Sequence, residues 1–425
     1  MTYRECLEYL YTKLPMFERQ GPSGIKKDLT NTLALCEILG NPHTKFKTIH
    51  IAGTNGKGSV SHMLASILQE AGYKTGMYIS PHYKDFRERI RINGKYISKK
   101  YITDFVDNIS TAIDEIKPSF FEITVALTFN YFADRKVDIA VIETGLGGRL
   151  DSTNVINPIL SIITNISYDH QKILGNTLPE IASEKAGIIK DNTPVLIGEY
   201  QPTIFSVFTS KAKEKNAPLR LATKYGKVMT QATTGRYIYR SSDNQYVKLD
   251  MPYHGPYQEK NINTVIQAIQ WMNETSVLSI SETKIKLGLK NLDNRVPLLG
   301  RFQTLGTKPL VIADGAHNLS GLKLLFKRIK QLAKGDVHVV FGTVKDKDYP
   351  SVIRILPREF KYYFVKADLP RALDDDILFS ISNSRKLNGE KYGKVKAGFK
   401  AAKAQARSND IVLVTGSIFV VGEVI

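Results

Sequence analysis

Cysteine is scarce: Cys6 and Cys36 are the only two in 425 residues. Two thiols cannot build a disulfide framework, and their spacing offers no metal-ligand pattern, so a reducing cytoplasm is the expected compartment. No apolar run is long enough to span a bilayer, and Met1-Thr2-Tyr3-Arg4-Glu5-Cys6 carries charge where a secretory leader would be apolar. Internal repeats and low-complexity tracts are missing as well. Acidic residues are outnumbered, 41 against 59 Lys and Arg, for a formal net charge of +18. That excess is scattered, with no basic tail and no interleaved aromatics of a nucleic-acid reader. It predicts a soluble surface that attracts small polyanions, with no nucleic-acid and no membrane partner. At 42% hydrophobic and 24% charged residues the composition is that of a folded protein, and the length predicts two or three domains.

What is present centres on Thr48-Ile49-His50-Ile51-Ala52-Gly53-Thr54-Asn55-Gly56-Lys57-Gly58-Ser59-Val60. An apolar strand runs into a glycine turn. Val60, Met63, Leu64, Ile67, Leu68 and Ala71 then recur at helical spacing, with Gly72 as a stop. Strand, small-residue turn and helix N-terminus form an anion site, because backbone N–H groups can approach a phosphate and the helix end adds positive charge. Lys57 would bring a full charge to the outer phosphates, and Ser59 a hydroxyl near a bound Mg²⁺. Gly53 and Gly56-Lys57 are separated by two residues where the common Walker motif has four.

Further strands are expected at 75–79, 137–144, 159–166 and 195–197, with helical patterns at 100–116, 121–135 and 178–190. Alternation of this kind predicts a doubly wound, mostly parallel α/β sheet. Residues 1–46 read as helical with a break at Gly21-Pro22-Ser23-Gly24, and 84–98 as a loop with short strands. Residues 219–252 alternate as short antiparallel strands, followed by helices at 261–272 and 282–290. The polar, Pro-marked segment Asn291–Pro297 predicts a boundary, giving domains 1–294 and 295–425. Strands near 309–313, 337–341, 361–366 and 411–415 restart the alternation.

Glu143 ends one apolar strand and Asp169-His170 follow another, on the rim that carries the phosphate loop. A carboxylate and an imidazole there suit Mg²⁺ or Mn²⁺. Lys185, in Ser183-Glu184-Lys185-Ala186-Gly187, lies in a helical pattern. Asp314-Gly315-Ala316-His317-Asn318 places an acid, an imidazole and an amide after a strand of the second domain.

Taken in order, Gly53–Ser59, Ser80-Pro81-His82, Glu143–Asp151, Asp169-His170, Glu184–Ile188, Gly300-Arg301-Phe302, Asp314–Asn318 and Val414-Thr415-Gly416-Ser417 make the chain resemble the folylpolyglutamate synthase/dihydrofolate synthase family of the Mur ligase superfamily. The resemblance runs from about residue 20 to the C-terminus. It implies a P-loop ATPase domain, a smaller Rossmann-like α/β domain, and a site in the cleft between them. It also implies nucleotide contacts from Gly53, Thr54, Asn55, Gly56, Lys57, Gly58, Ser59, Asn261, Arg301 and Asp314. Ser80, Glu143 and His170 would be the metal ligands. Phe120, Phe121, Glu122, Arg149, Leu150, Asp151 and Ser152 would hold the pterin. Lys57, Lys185 (as a carbamate) and His317 would serve catalysis. ATP, Mg²⁺, a monovalent cation, dihydropteroate, folates and L-glutamate are the implied ligands, and a monomer is expected. Tyr257-Gln258 departs from the His-Gln that the family often shows. A peptidoglycan Mur ligase would place a further domain before the phosphate loop, whereas 52 residues precede Gly53. A basic P-loop switch protein binding nucleic acid is the alternative from another class, and predicts steeply salt-dependent binding.

Overall fold

The computed structural model describes residues 1–16, 28–231 and 236–425, so the expected break at Gly21–Gly24 lies outside the described residues. The chain forms two compact units. One comprises Met1–Ser167, Gln171–Pro252 and Gln258–Leu298; the other comprises Tyr168–His170, Tyr253–Tyr257 and Leu299–Ile425.

The larger unit is built on eight strands: β1 (Lys47–Ala52), β2 (Thr75–Tyr78), β3 (Ile90–Ile92), β4 (Lys95–Tyr96), β5 (Ile139–Glu143), β6 (Leu160–Ile163), β7 (Val195–Ile197) and β8 (Leu219–Leu221). They lie in the order β4-β3-β2-β5-β1-β6-β7-β8. From β2 to β8 every pairing is parallel, and β3 and β4 add an antiparallel hairpin at one edge. Asn93 and Gly94 turn that hairpin with φ of 47° and 75°, the paired left-handed residues that an Asn-Gly dipeptide favours. The central strands β1 and β5 are buried on both faces beyond Lys47, as a sheet covered by helices requires. Chain order reverses at β1, which pairs with β5 on one side and β6 on the other. In such sheets ligands bind at the carboxyl ends of the strands beside that reversal.

The helix Lys57–Glu70 that follows β1 is buried from Ser59 through Leu68, being wrapped by the sheet and by the helices Gln258–Glu274 and Glu282–Lys290. Gly288 permits the closest of these approaches, since a β-carbon there would stand 2.6 Å from the Ile67 Cα. Ser66 Oγ fastens the contact by donating to the Gly288 carbonyl at 2.6 Å.

Two expectations are corrected. Leu219–Leu221 is not part of an antiparallel group but pairs in parallel with β7. The antiparallel sheet holds only β9 (Gly226–Thr230), β10 (Tyr237–Ser241) and β11 (Tyr246–Leu249). The helix expected at 178–190 ends at Ala186, because Gly187 lies so close to Arg149 that a β-carbon would meet the Arg149 Cα at 2.4 Å.

The smaller unit contains β12 (Gln303–Thr307), β13 (Leu310–Ala313), β14 (Val337–Phe341), β15 (Lys361–Lys366), β16 (Asn388–Lys394) and β17 (Ile411–Thr415), in the order β12-β13-β17-β14-β15-β16. All pairings are parallel except that of the edge strand β12. β12 and β16 are polar edge strands, which is why an apolar-run reading passes over them. The helix Leu319–Leu332 buries Leu322, Leu325, Phe326 and Ile329 at helical spacing against this sheet. Among the described residues no helix is long and apolar enough to cross a membrane.

Candidate active site

The phosphate loop is shaped by two glycines that tolerate no side chain. Gly53 has φ of 145°, and a β-carbon would fall 1.9 Å from Thr164 Oγ1. Gly56 has φ of 89° and caps the helix, where a β-carbon would meet Asn261 Oδ1 at 2.4 Å. Between them the loop is strapped to the end of β6. The N–H groups of Thr54 and Asn55 donate to the Asn165 carbonyl (2.8 Å) and side-chain oxygen (3.1 Å), while Thr164 Oγ1 donates to the Asn55 carbonyl at 2.7 Å. Lys57 Nζ donates to the Gly53 carbonyl at 3.2 Å and stands 3.9 Å from Glu143 Oε1. Sheet register explains the second neighbour, since Ile51 of β1 faces Glu143 of β5. Ser80, two residues beyond β2, lies on the same rim, because β2 runs beside β5. The larger unit therefore brings together Gly53–Ser59, Ser80, Glu143 and Asn261. Thr164 and Asn165 were not singled out from sequence, although a polar pair closing an apolar strand on that rim was a legible signal.

Asp151 is buried and organises the segment after β5. Its carboxylate accepts from the Leu146 N–H at 2.7 Å and from the Thr153 N–H at 3.0 Å. Burial raises its pKa against these hydrogen bonds. Thr153 Oγ1 also meets His50 Nε2 at 2.9 Å. Arg149 is exposed and bridges Glu184 at 2.8 Å, and Lys185 is buried in the last turn of Leu178–Ala186. Leu150 is half-buried and Ser152 buried. Of the three residues at 120–122, Phe120 is in the core, between Tyr11 and Phe86. Glu122 completes a capping box with Ser119, whose N–H it accepts at 2.6 Å. Phe121 packs its ring edge over Gly145, where a β-carbon would meet it at 2.4 Å. His82 accepts from Arg89 Nε at 2.8 Å, and burial together with Arg89 holds its pKa down to about 3.

In the smaller unit two acids organise the functional candidates. Asp314 accepts from Tyr257 Oη at 2.6 Å, the Phe302 N–H at 2.8 Å and the Ala316 N–H at 2.9 Å. Burial raises its pKa, against Tyr257 and the neighbouring Arg301 guanidinium. Asp169 receives the Lys347 ammonium on Oδ1 and His317 Nε2 on Oδ2 at 3.2 Å. Burial alone would raise Asp169, but Lys347, His170 and His317 outweigh it and hold the carboxyl well below its usual range. Lys347 also donates to His170 Nε2 at 3.1 Å. Lys347 escaped notice in the sequence because it sits in a polar loop without a motif.

Two family models match the chain: the Mur ligase middle domain over residues 51–269 and the Mur ligase glutamate ligase domain over 300–418. The phosphate loop falls in the first and Asp314–Asn318 in the second, which defines an ATP-dependent ligase of the Mur class. The chain is 35% identical to the dihydrofolate synthase/folylpolyglutamate synthase of Bacillus subtilis, over 94% of this chain and 95% of that protein. It is 32% identical to the folylpolyglutamate synthase of Lacticaseibacillus casei, over 100% and 98%. The E. coli FolC structure in complex with DHPP and ADP superposes with a TM-score of 0.87 at 30% identity, covering 100% of this chain and 97% of that one. A Yersinia pestis bifunctional enzyme complexed with AMPPNP and Mn ion gives 0.85 at 27% identity, covering 100% and 97%. The chain belongs to the dihydrofolate synthase/folylpolyglutamate synthase family of ATP-dependent glutamate ligases.

Proposed function

We propose that this chain joins L-glutamate to the carboxylate of dihydropteroate, to the γ-carboxyl of tetrahydrofolates, or to both, by way of an acyl phosphate. The observation that carries the reading is the phosphate loop, with its two side-chain-intolerant glycines, and Lys57 poised beside the buried Glu143. Carboxylates are poor acyl donors, so one oxygen of the pterin-linked carboxylate attacks the γ-phosphoryl of ATP and ADP leaves. The glutamate amine then attacks the acyl carbon, phosphate departs, and the amine proton is lost as the amide forms. The loop N–H groups and Lys57 offset charge gathering on the phosphoryl oxygens, a stabilisation present before reaction begins.

In the larger unit Glu143 offers a buried carboxylate and Ser80 a hydroxyl, donors that suit a hard divalent ion, and the family resemblance assigns the His170 imidazole to the same ion. When bound, Mg²⁺ or Mn²⁺ neutralises phosphate charge. Asn261, Arg301 and Asp314 are assigned to the nucleotide, and His317 to steering the acyl phosphate or the amine. Phe121, Arg149, Leu150, Asp151 and Ser152 are assigned to the pterin. Phe120 and Glu122 shape that wall from behind, one as core and the other as a helix cap. Lys185 is read as a carbamate, which converts a buried cation into a carboxylate. A resonance from ¹³C-bicarbonate that is lost in Lys185→Ala would bear this out, and its absence from the wild type would overturn it. Buried free thiols at Cys6 and Cys36 suit a reducing cytoplasm.

Phosphate release from ATP with Mg²⁺ and glutamate tests the reading, with dihydropteroate, tetrahydrofolate or no pterin. Release that requires a pterin acid, with the matching amide product, is expected. Release independent of pterin and stimulated by nucleic acid would overturn it.

A further inference from the structure

At the edge of the smaller unit opposite the strand carboxyl ends, Asp336, His338 and Asp410 come together, each offering a ligand atom within 4.8 Å of the others. Asp336 immediately precedes β14 and His338 is its second residue, while Asp410 immediately precedes β17, its neighbour in the sheet. His338 is fully buried, and its Nε2 makes no hydrogen bond among the described residues, standing 3.5 Å from Asp410 Oδ2.

A chain of hydrogen bonds fixes which ring nitrogen carries the proton. Tyr363 Oη donates to Gln405 Oε1 at 2.7 Å. The Tyr363 oxygen can then only accept from His338, at 2.8 Å on Nδ1. With Nδ1 protonated, Nε2 presents a lone pair to a carboxylate. Both Asp410 oxygens already act as acceptors, Oδ2 from the Arg407 N–H at 2.7 Å and Oδ1 from the Asp336 N–H at 2.8 Å. Two electron-rich atoms facing each other in a buried site call for a cation between them.

We propose that Asp336, His338 and Asp410 form a second divalent-metal site, for a borderline first-row ion such as Zn²⁺, separate from the phosphate loop. One imidazole and two carboxylates match that preference, and three protein ligands leave a position for water. Tyr363 is the outer partner that orients the ligating imidazole. Asp336 now pairs with Lys361 at 2.7 Å, but both side chains are largely exposed, so little is lost when it turns to an ion. The ion would clamp the starts of β14 and β17.

Cobalt titration of the full chain tests the site as the difference between wild type and Asp336→Asn, since Co²⁺ reports nitrogen ligation in its visible spectrum and the ligands assigned to the phosphate-loop metal are the same in both. One Co²⁺ per chain more than in the variant is expected, displaced by Zn²⁺, with a rise in unfolding temperature. Asp336→Asn, an exposed change that leaves glutamate ligation intact, should weaken binding about tenfold or more. His338→Gln should abolish the imidazole signature. Unchanged binding in Asp336→Asn would overturn the proposal. So would ¹⁵N spectra showing His338 Nε2 protonated both before and after Zn²⁺ is added.

Discussion

A β-carbon on Gly56 would lie 2.4 Å from Oδ1 of Asn261, so the turn that presents the helix N-terminus and the residue assigned to the nucleotide occupy each other's only available space. Gly56→Ala should therefore cost about 1–2 kcal/mol for the left-handed conformation alone, plus displacement of Asn261. The measurable outcome is a raised KM for ATP. Asn261→Gly added to Gly56→Ala should recover part of the lost stability but not all, because the φ of 89° persists. Full recovery in the double variant would show that backbone strain contributes nothing.

Lys57→Met should lower kcat by about 10²–10³-fold, the usual effect of deleting one preorganised charge on a transferring group. Because Lys57 also closes the loop by donating to the Gly53 carbonyl, unfolding should shift by about 1 kcal/mol. Glu143→Gln should instead move the Mg²⁺ activation curve to higher concentration. A Lys57→Met enzyme with unchanged kcat would remove the lysine from phosphoryl transfer.

Local signals account for much of what the sequence made legible. Glycines followed by an apolar helical repeat at 53–71 announced the phosphate loop, and buried strands such as 139–143 announced themselves by continuous apolar runs. Long-range relationships were not legible. Leu219–Leu221 joins the main sheet only because β7 offers it an edge. The helix at Leu178–Ala186 stops where Gly187 meets Arg149, 38 residues earlier in the chain. Phe120 and Phe121 are chemically identical neighbours, and the helix turn alone decides that one faces the core and the other Gly145. Lys347 acquires meaning only when folding sets it on Asp169.

Tyr257 stands where the family often has His, and its hydroxyl donates to Asp314 at 2.6 Å. Removing that donor leaves a buried carboxyl with two backbone N–H groups and a nearby guanidinium. Tyr257→Phe should destabilise the smaller unit by about 1.5–3 kcal/mol, the range for a hydrogen bond to a charged group, and should raise the KM for ATP. Thermal unfolding with and without nucleotide checks both. Unfolding identical to wild type would mean that the phenol is replaceable by water.

Asp169 makes a prediction whose sign is set by its partners. Lys347, His170 and His317 hold its carboxyl well below 3.8 in the folded state despite burial, so the folded protein binds that proton more weakly than the unfolded chain does. The stabilisation is therefore fully present above an unfolded pKa of about 4, and is lost as pH falls through the folded value. Asp151 and Asp314 act in the opposite sense, since burial raises them and their contribution declines as pH rises through the range above 3.8. Comparing wild type with Asp169→Asn cancels those background acids. The wild type should unfold at the higher temperature near neutral pH, because the variant leaves the buried Lys347 ammonium without its counter-charge. That gap should narrow steadily below about pH 4 as the wild-type carboxylate takes up its proton. A gap that stays constant from about pH 7 to about pH 3 would mean that the Asp169–Lys347 pair contributes nothing electrostatic to the fold.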